Sequence, residues 1–183
     1  MEIKKIKKMI LTILAIILIL FFGIGLYNAN KLKNIHIQTT VNINADIQTI
    51  FDNVLYLKNF PKWSPFYEVD PTQKIEVKGN DGEVGAQFHW NGNNGKDLGY
   101  QEIKEIKPLE YIKMECDIQK PFKANPTFEY SFSNLGNMVK VTQDFDLKSG
   151  LVDSFFMWLF GAKKNMEKMN ERGMELLKAN SEK

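Results

Sequence analysis

YIKMECDIQKPFKANPTFEYSFSNLGNMVKVTQDFD, residues 111–146, contains three alternating stretches separated by two breaks. Ile112, Met114, Cys116 and Ile118 alternate with Lys113, Glu115, Asp117 and Gln119, and the pattern stops at Pro121. Phe128, Tyr130 and Phe132 alternate with Thr127, Glu129 and Ser131; Val139, Val141, Gln143 and Phe145 alternate with Lys140, Thr142, Asp144 and Asp146. A period of two sends successive side chains to opposite faces, so each stretch reads as a strand with one dry and one wet face. The connections are too short for a parallel crossover, which makes the neighbours antiparallel. A sheet that is dry on one face needs a cover there.

Upstream the same pattern continues. Ile75 and Val77 end at Gly79-Asn80-Asp81-Gly82, and Ala86, Phe88 and Trp90 share a face that ends at Asn91-Gly92-Asn93-Asn94-Gly95. The stretch from Leu98 to Ile106 ends at Pro108. An earlier strand starts near His36 with Ile37, Thr39, Val41 and Ile43 alternating. Asn44 or Asp46 then caps a helix carrying Ile47, Ile50, Phe51 and Val54, and Pro61 and Pro65 close the helical region. Downstream lies the cover. An aromatic helical segment (Phe155, Phe156, Trp158, Leu159, Phe160) precedes a long helix with Met166, Met169, Gly173, Leu176 and Leu177 as its apolar stripe. Gly161 between them reads either as a break that frees the aromatic segment as a lid or as a simple C-cap. The class is α+β, a curved antiparallel sheet wrapped on a long C-terminal helix.

Residues 1–34 are of another kind. Met9 to Leu26, residues 9–26, is an apolar run interrupted only by Thr12, Gly23 and Gly25. As a helix it spans about 27 Å, close to the hydrocarbon thickness of a bilayer. Lys4, Lys5, Lys7 and Lys8 precede it and Lys31 and Lys33 follow, so the positive-inside bias puts the N-terminus in the cytoplasm and residues 35–183 outside it. The alternative is a signal peptide, with the domain secreted after cleavage; Tyr27 fits poorly at the −3 position of a cut after Ala29.

Charge and composition exclude several classes. Through Lys33, six lysines against Glu2 give +5; from Asn34 onward, 17 lysines and Arg172 against 21 acids give −3. The mildly acidic domain argues against nucleic acid as a partner. Cys116 is the single cysteine, so no intramolecular disulfide forms, and with only His36 and His89 no Cys/His zinc site is expected. Asp81 and Glu83 lack a proper loop of calcium ligands. Nucleophile elbows, phosphate loops and catalytic triads have no match, and no cofactor is expected.

The order strand, helices, six strands, long helix resembles the helix-grip fold of the SRPBCC superfamily, which includes START domains, Bet v 1 allergens and polyketide cyclase/dehydrase-like proteins. Val41-Asn42-Ile43-Asn44-Ala45, Phe60-Pro61-Lys62-Trp63-Ser64-Pro65-Phe66, Val84-Gly85-Ala86 leading to Trp90, Ile103-Lys104-Glu105 before Pro108, and Lys120-Pro121-Phe122 carry the likeness. It spans roughly residues 35 to 180 and implies a cavity between sheet and helix. Where such proteins often have an aromatic, this chain has Gln143, which implies a more polar wall.

The candidate ligand-binding residues are Trp63, Phe88, Trp90, Gln101, Ile103, Met114, Phe128, Tyr130, Phe132, Gln143, Met166 and Met169; several would serve equally as core. Glu105, on a strand face with Gln101 and Ile103, is the one weak catalytic candidate. Three functions follow: a membrane-tethered monomer that binds a small hydrophobic molecule (a lipid, isoprenoid or polyketide-like compound), a cyclase- or dehydratase-type enzyme using the same pocket, or an interaction domain with a filled core. A family of this kind fixes fold more firmly than function.

Overall fold

The alternating stretches become strands in the computed structural model, which describes residues 2–183; Met1, at the start of the expected anchor region, lies outside them. The six later strands are β2 (Lys74–Lys78), β3 (Gln87–Gly92), β4 (Asp97–Lys107), β5 (Tyr111–Lys120), β6 (Thr127–Asn134) and β7 (Val139–Lys148). With β1 (Asn34–Ile43) they form one seven-stranded sheet in the order β1-β7-β6-β5-β4-β3-β2. Successive strands from β2 to β7 pair antiparallel with their neighbours, as hairpin-length connections require. The first strand crosses to the far edge. On its wet face Gln38 donates to Asp144 at 2.8 Å, and Thr40 and Thr142 share a hydrogen bond of 3.1 Å.

Asp46 caps the first helix of the domain, accepting from the Thr49 N–H at 3.2 Å. That helix follows an N-terminal one, α1 (Glu2–Lys31), and is α2 (Ile47–Leu55); it buries Ile50, Phe51 and Val54. A 3-10 turn at Leu57–Lys62 leads to the short α3 (Pro65–Val69), whose N-cap Ser64 accepts from the Tyr67 N–H. Asp81 accepts from the Leu57 N–H at 2.6 Å, so this acid closes the 3-10 turn.

The last two helices are α4 (Leu151–Leu159) and α5 (Ala162–Ser181), separated by Gly161 at a φ of 63°. That left-handed turn suits glycine, in keeping with a C-cap. The buried face of α5 is Asn170, Gly173, Met174, Leu177 and Ser181, rotated from the stripe the sequence suggests. Arg172 clamps Glu68 with two hydrogen bonds, 2.9 and 2.6 Å, and Lys178 reaches the Asn42 carbonyl at 2.7 Å.

Contacts divide the chain into two units. One takes the chain up to Asn34 together with Ser149–Lys163; the other comprises Ile35–Lys148 and Lys164–Lys183. The second unit holds the sheet, α2, α3 and most of α5. The first holds α1 and α4, which lie side by side. Phe155 stacks on Phe22 at 5.9 Å and meets Phe21 edge-on at 6.1 Å, while Trp158 lies 5.8 Å from Phe21. In the aromatic segment read as a lid or a simple helix end, Phe155 and Trp158 thus pack on α1, while Phe156 and Phe160 stay exposed. Among the described residues α1 is the one helix long and apolar enough to cross a membrane or to act as a signal sequence.

Candidate functional site

The dry face of the sheet and α2, the 3-10 turn and α5 enclose one cluster. Trp63, Phe88, Ile103, Met114, Tyr130 and Phe132 belong to it, each at most 6% exposed. Trp63 stands at its centre. Its indole N–H donates to the Asn53 carbonyl at 2.8 Å, and its ring meets Phe60 at 4.9 Å and Tyr130 at 6.1 Å, both edge-on. Phe60 in turn meets Phe88 at 5.2 Å, and Phe51 meets Phe132 at 5.2 Å. Edge-to-face pairs of this kind suit the ring quadrupoles.

Trp90 and Phe128 pack against this cluster while staying half-buried. The Trp90 N–H donates to Asp97 at 3.0 Å, and its ring lies over Gly99. A Cβ at Gly99 would come within 2.5 Å of both the Trp90 ring and the Asp117 carbonyl, so glycine is needed for this close approach. Met166 and Met169 are half-buried on α5 and stand outside the cluster; Met174 and Leu177 are the α5 residues at its centre. Sequence reasoning placed Leu177 on the apolar stripe of this helix but left it, Met174, Phe51 and Phe60 out of the candidate site. The spacing 170-173-174-177-181 was available, but Asn170 and Ser181 break its apolar character.

Three uncharged polar groups interrupt this apolar face. Gln143 is 4% exposed and donates through Nε2 to the Tyr130 hydroxyl at 2.9 Å. Its Oε1 has no hydrogen-bond partner among the described residues, nor has Nε2 of the buried Gln101. Gln101 pairs in register with Cys116, and Tyr130 with Gln143. Burial pushes the Cys116 thiol up to about 12. Burial also holds the Tyr130 phenol well above its usual range; the Gln143 hydrogen bond opposes this, and nearby Cys116 adds to it. Both groups are therefore neutral at physiological pH. The buried polar side chains among the described residues are all uncharged. An orphaned donor and an orphaned acceptor at low dielectric each forgo about 1–3 kcal/mol, which natural cores seldom tolerate without a use for it.

Glu105 is not on this face. A bulge between Ile103 and Glu105 breaks the alternation of β4, and Glu105 stands exposed beside Lys107 at 3.3 Å. The expectation that it shares a face with Gln101 and Ile103 fails for that reason. His89 faces the other side of the sheet, stacked on Tyr100 at 5.1 Å and hydrogen-bonded to Gln87 at 2.9 Å. Burial, helped by the charge of Lys78, lowers its pKa. The convex face also carries a shallow groove lined by Tyr100, Glu102, Lys104 and Asp117 among others. Lys104 donates to Glu102 at 2.6 Å there and holds that carboxyl below its ordinary range, as a structural ion pair does. No group of three or more metal-binding side chains occurs among the described residues.

Residues 34–182 match the family model described as polyketide cyclase / dehydrase and lipid transport. Among curated proteins none matches the chain. Solved structures share its fold at low identity. Protein CV1439 from Chromobacterium violaceum is 14% identical with a TM-score of 0.61, over 81% of this chain and 97% of that one. The Aha1 dimer from Colwellia psychrerythraea is 14% identical with a TM-score of 0.57, over 81% and 96%. Ara h 8.0201 is 11% identical with a TM-score of 0.52, over 79% and 98%. Likeness at this level establishes the Bet v 1-like helix-grip fold of residues 35 onward.

Proposed function

The chain belongs to the polyketide cyclase / dehydrase and lipid transport family, and on that premise we propose that it binds a small apolar molecule with a neutral, hydrogen-bonding end, while α1 tethers it to a membrane. The observation that carries this reading is two orphaned groups, Gln101 Nε2 on β4 and Gln143 Oε1 on β7, set in an apolar face. One group offers a proton and the other accepts one. A hydroxyl or a neutral amide satisfies either, whereas a carboxylate would meet no buried cation among the described residues.

The side chains of this face close on one another, so binding requires the rings around Trp63 to part. Displacing one large aromatic from a packed core costs about 3–5 kcal/mol. Burying a chain of about twelve methylenes returns roughly 10 kcal/mol at about 0.8 each. A ligand of lipid or isoprenoid size can therefore open the site, whereas a fragment of four or five carbons, returning roughly 3–4 kcal/mol, does no better than break even.

The same closure favours a second reading, an interaction domain whose core is simply full. A cyclase- or dehydratase-type enzyme is less well supported. The buried proton carriers on this face, Tyr130 and Cys116, are both held far above neutral pH, and a general acid or base works best near the operating pH.

Integration of α1 with α4 supports an uncleaved tether over a removed leader, because loss of α1 would strip the partner from Phe155 and Trp158. The lysine asymmetry supports a cytoplasmic N-terminus. Native mass spectrometry of the full chain, purified from its own cells into lipid nanodiscs, tests the function. A bound neutral amphiphile that survives release from the nanodisc supports binding. Release of bare protein in every preparation supports the filled-core reading.

A further inference from the structure

The helix α4 presents an apolar surface that α1 does not cover. Its nine residues carry one charge, Asp153. Val152 is 68% exposed and Phe156 50%, with Leu151 and Leu159 also exposed; Phe160, just beyond, is 73% exposed. Its other side is fixed to α1 at a defined level. Gly25 is the close-approach point, where a Cβ would come within 2.8 Å of Trp158 and closer still to Phe155. The Ser149 N–H donates to the Lys33 carbonyl at 2.9 Å and the Ser149 hydroxyl to the Leu32 carbonyl at 3.3 Å, which ties the start of α4 to the end of α1.

That level matters. Phe21, Phe22 and Gly25 fall in the last third of the apolar run 9–26, and Lys31 and Lys33 follow it. Counting about 1.5 Å per residue from the middle of the run, α4 crosses α1 roughly 5–11 Å from the bilayer centre, inside a hydrocarbon half-thickness of about 15 Å. On α1 the same level shows Phe22, Ile24 and Leu26 to the surroundings. The exposed faces of α1 and α4 thus form one continuous apolar surface.

We propose that α4 is buried in the same leaflet as the C-terminal part of α1, so that the membrane anchor is a two-helix unit assembled from the two ends of the sequence rather than a single span. This rests on the reading that α1 crosses the bilayer. The occupant of the exposed face of α4 is lipid. A protein covering it would itself have to lie within the bilayer, and the face is continuous with one that only lipid contacts. The backbone meets the demand of a low-dielectric setting, since α4 is hydrogen-bonded within itself up to the bond from the Phe160 N–H to the Phe156 carbonyl at 2.9 Å.

The test uses full-length protein in phosphatidylcholine/phosphatidylglycerol liposomes, with an environment-sensitive fluorophore on single introduced cysteines and lipids brominated on their acyl chains as quenchers. The sites are Phe156→Cys and Phe160→Cys on α4, Leu14→Cys in the middle of α1, and Glu171→Cys on the exposed side of α5. The expected result is quenching at 156 and 160 at least half as strong as at 14, and none at 171. Quenching at 14 with none at 156 and 160 would overturn the placement of α4 and leave the tether intact. Absence of quenching at 14 would remove the tether and the proposal with it. A blue-shifted but unquenched label at 156 would show that protein covers the face, and would also overturn it.

Discussion

Gln143 donates its amide N–H to the Tyr130 hydroxyl at 2.9 Å while its own carbonyl oxygen accepts from no described residue. One end of the side chain is held and the other is presented, on a face where a second orphan, the Gln101 amide on β4, offers a proton. A core built only for stability would use apolar residues at both positions.

Replacing the pair should therefore stabilise the protein. Gln101→Met/Gln143→Met removes two unsatisfied buried atoms at similar volume but also takes the donor from the Tyr130 hydroxyl, so we expect a net gain of about 1 kcal/mol in chemical unfolding of the full chain. A loss of that size would mean that the two amides are satisfied in solution.

Acid should weaken the domain through ion pairs on its wet face. Lys113 donates to Glu129 at 2.7 Å and holds that carboxyl below its ordinary range; Lys104, then Gln87, do the same for Glu102. A carboxyl with a depressed folded pKa contributes stability that is present above the unfolded value, about 4.3, and is lost as pH falls through the folded value. Both pairs are partly exposed, so the contribution is modest. In Glu102→Gln/Glu129→Gln the fall of stability below about pH 4.3 should be shallower than in the wild type. Identical profiles would show that the pairs are broken in solution.

Cys116 gives a direct reading of core closure. Its thiol is 5% exposed and raised to about 12 by burial. At pH 8 a maleimide should label it only in denaturant, or at a rate set by opening of the sheet. Full labelling of the native protein within minutes would mean that β5 is not covered as described.

Topology can be read from intact cells. Asn30→Cys, exposed at the end of α1, should react with a membrane-impermeant maleimide added outside, whereas Lys5→Cys should react only after permeabilisation. The reverse pattern would invert the orientation inferred from the lysines.

The strands were legible residue by residue because a half-buried sheet imposes a period of two; Ile112, Met114 and Cys116 all face inward as read. Three features were not legible. The β4 bulge moved Glu105 outward, and a bulge has no periodic signature when the inserted residue is charged. The buried face of α5 includes Asn170 and Ser181, so its rotation was hidden behind polar residues whose burial depends on partners far away, such as Asn53 for Ser181. The pairing of α4 with α1 joins segments more than a hundred residues apart, and amphipathicity alone names no partner. Within the site, Tyr130 and Gln143 were legible as inward-facing residues, but the hydrogen bond between them, and the orphaned atoms it leaves, depend on side-chain geometry.

The most direct test is photo-crosslinking with a twelve-carbon primary alcohol carrying a diazirine, applied to the full-length protein in nanodiscs and mapped by peptide mass spectrometry. Adducts are predicted on peptides containing Tyr130 and Gln143. They should fall about fivefold to thirtyfold in Gln101→Met/Gln143→Met, the loss of about one to two net hydrogen bonds. The carboxylic acid of equal length should label this site weakly at pH 8. Adducts confined to α1 and α4, with the same yield in the double variant, would contradict a ligand site on the concave face.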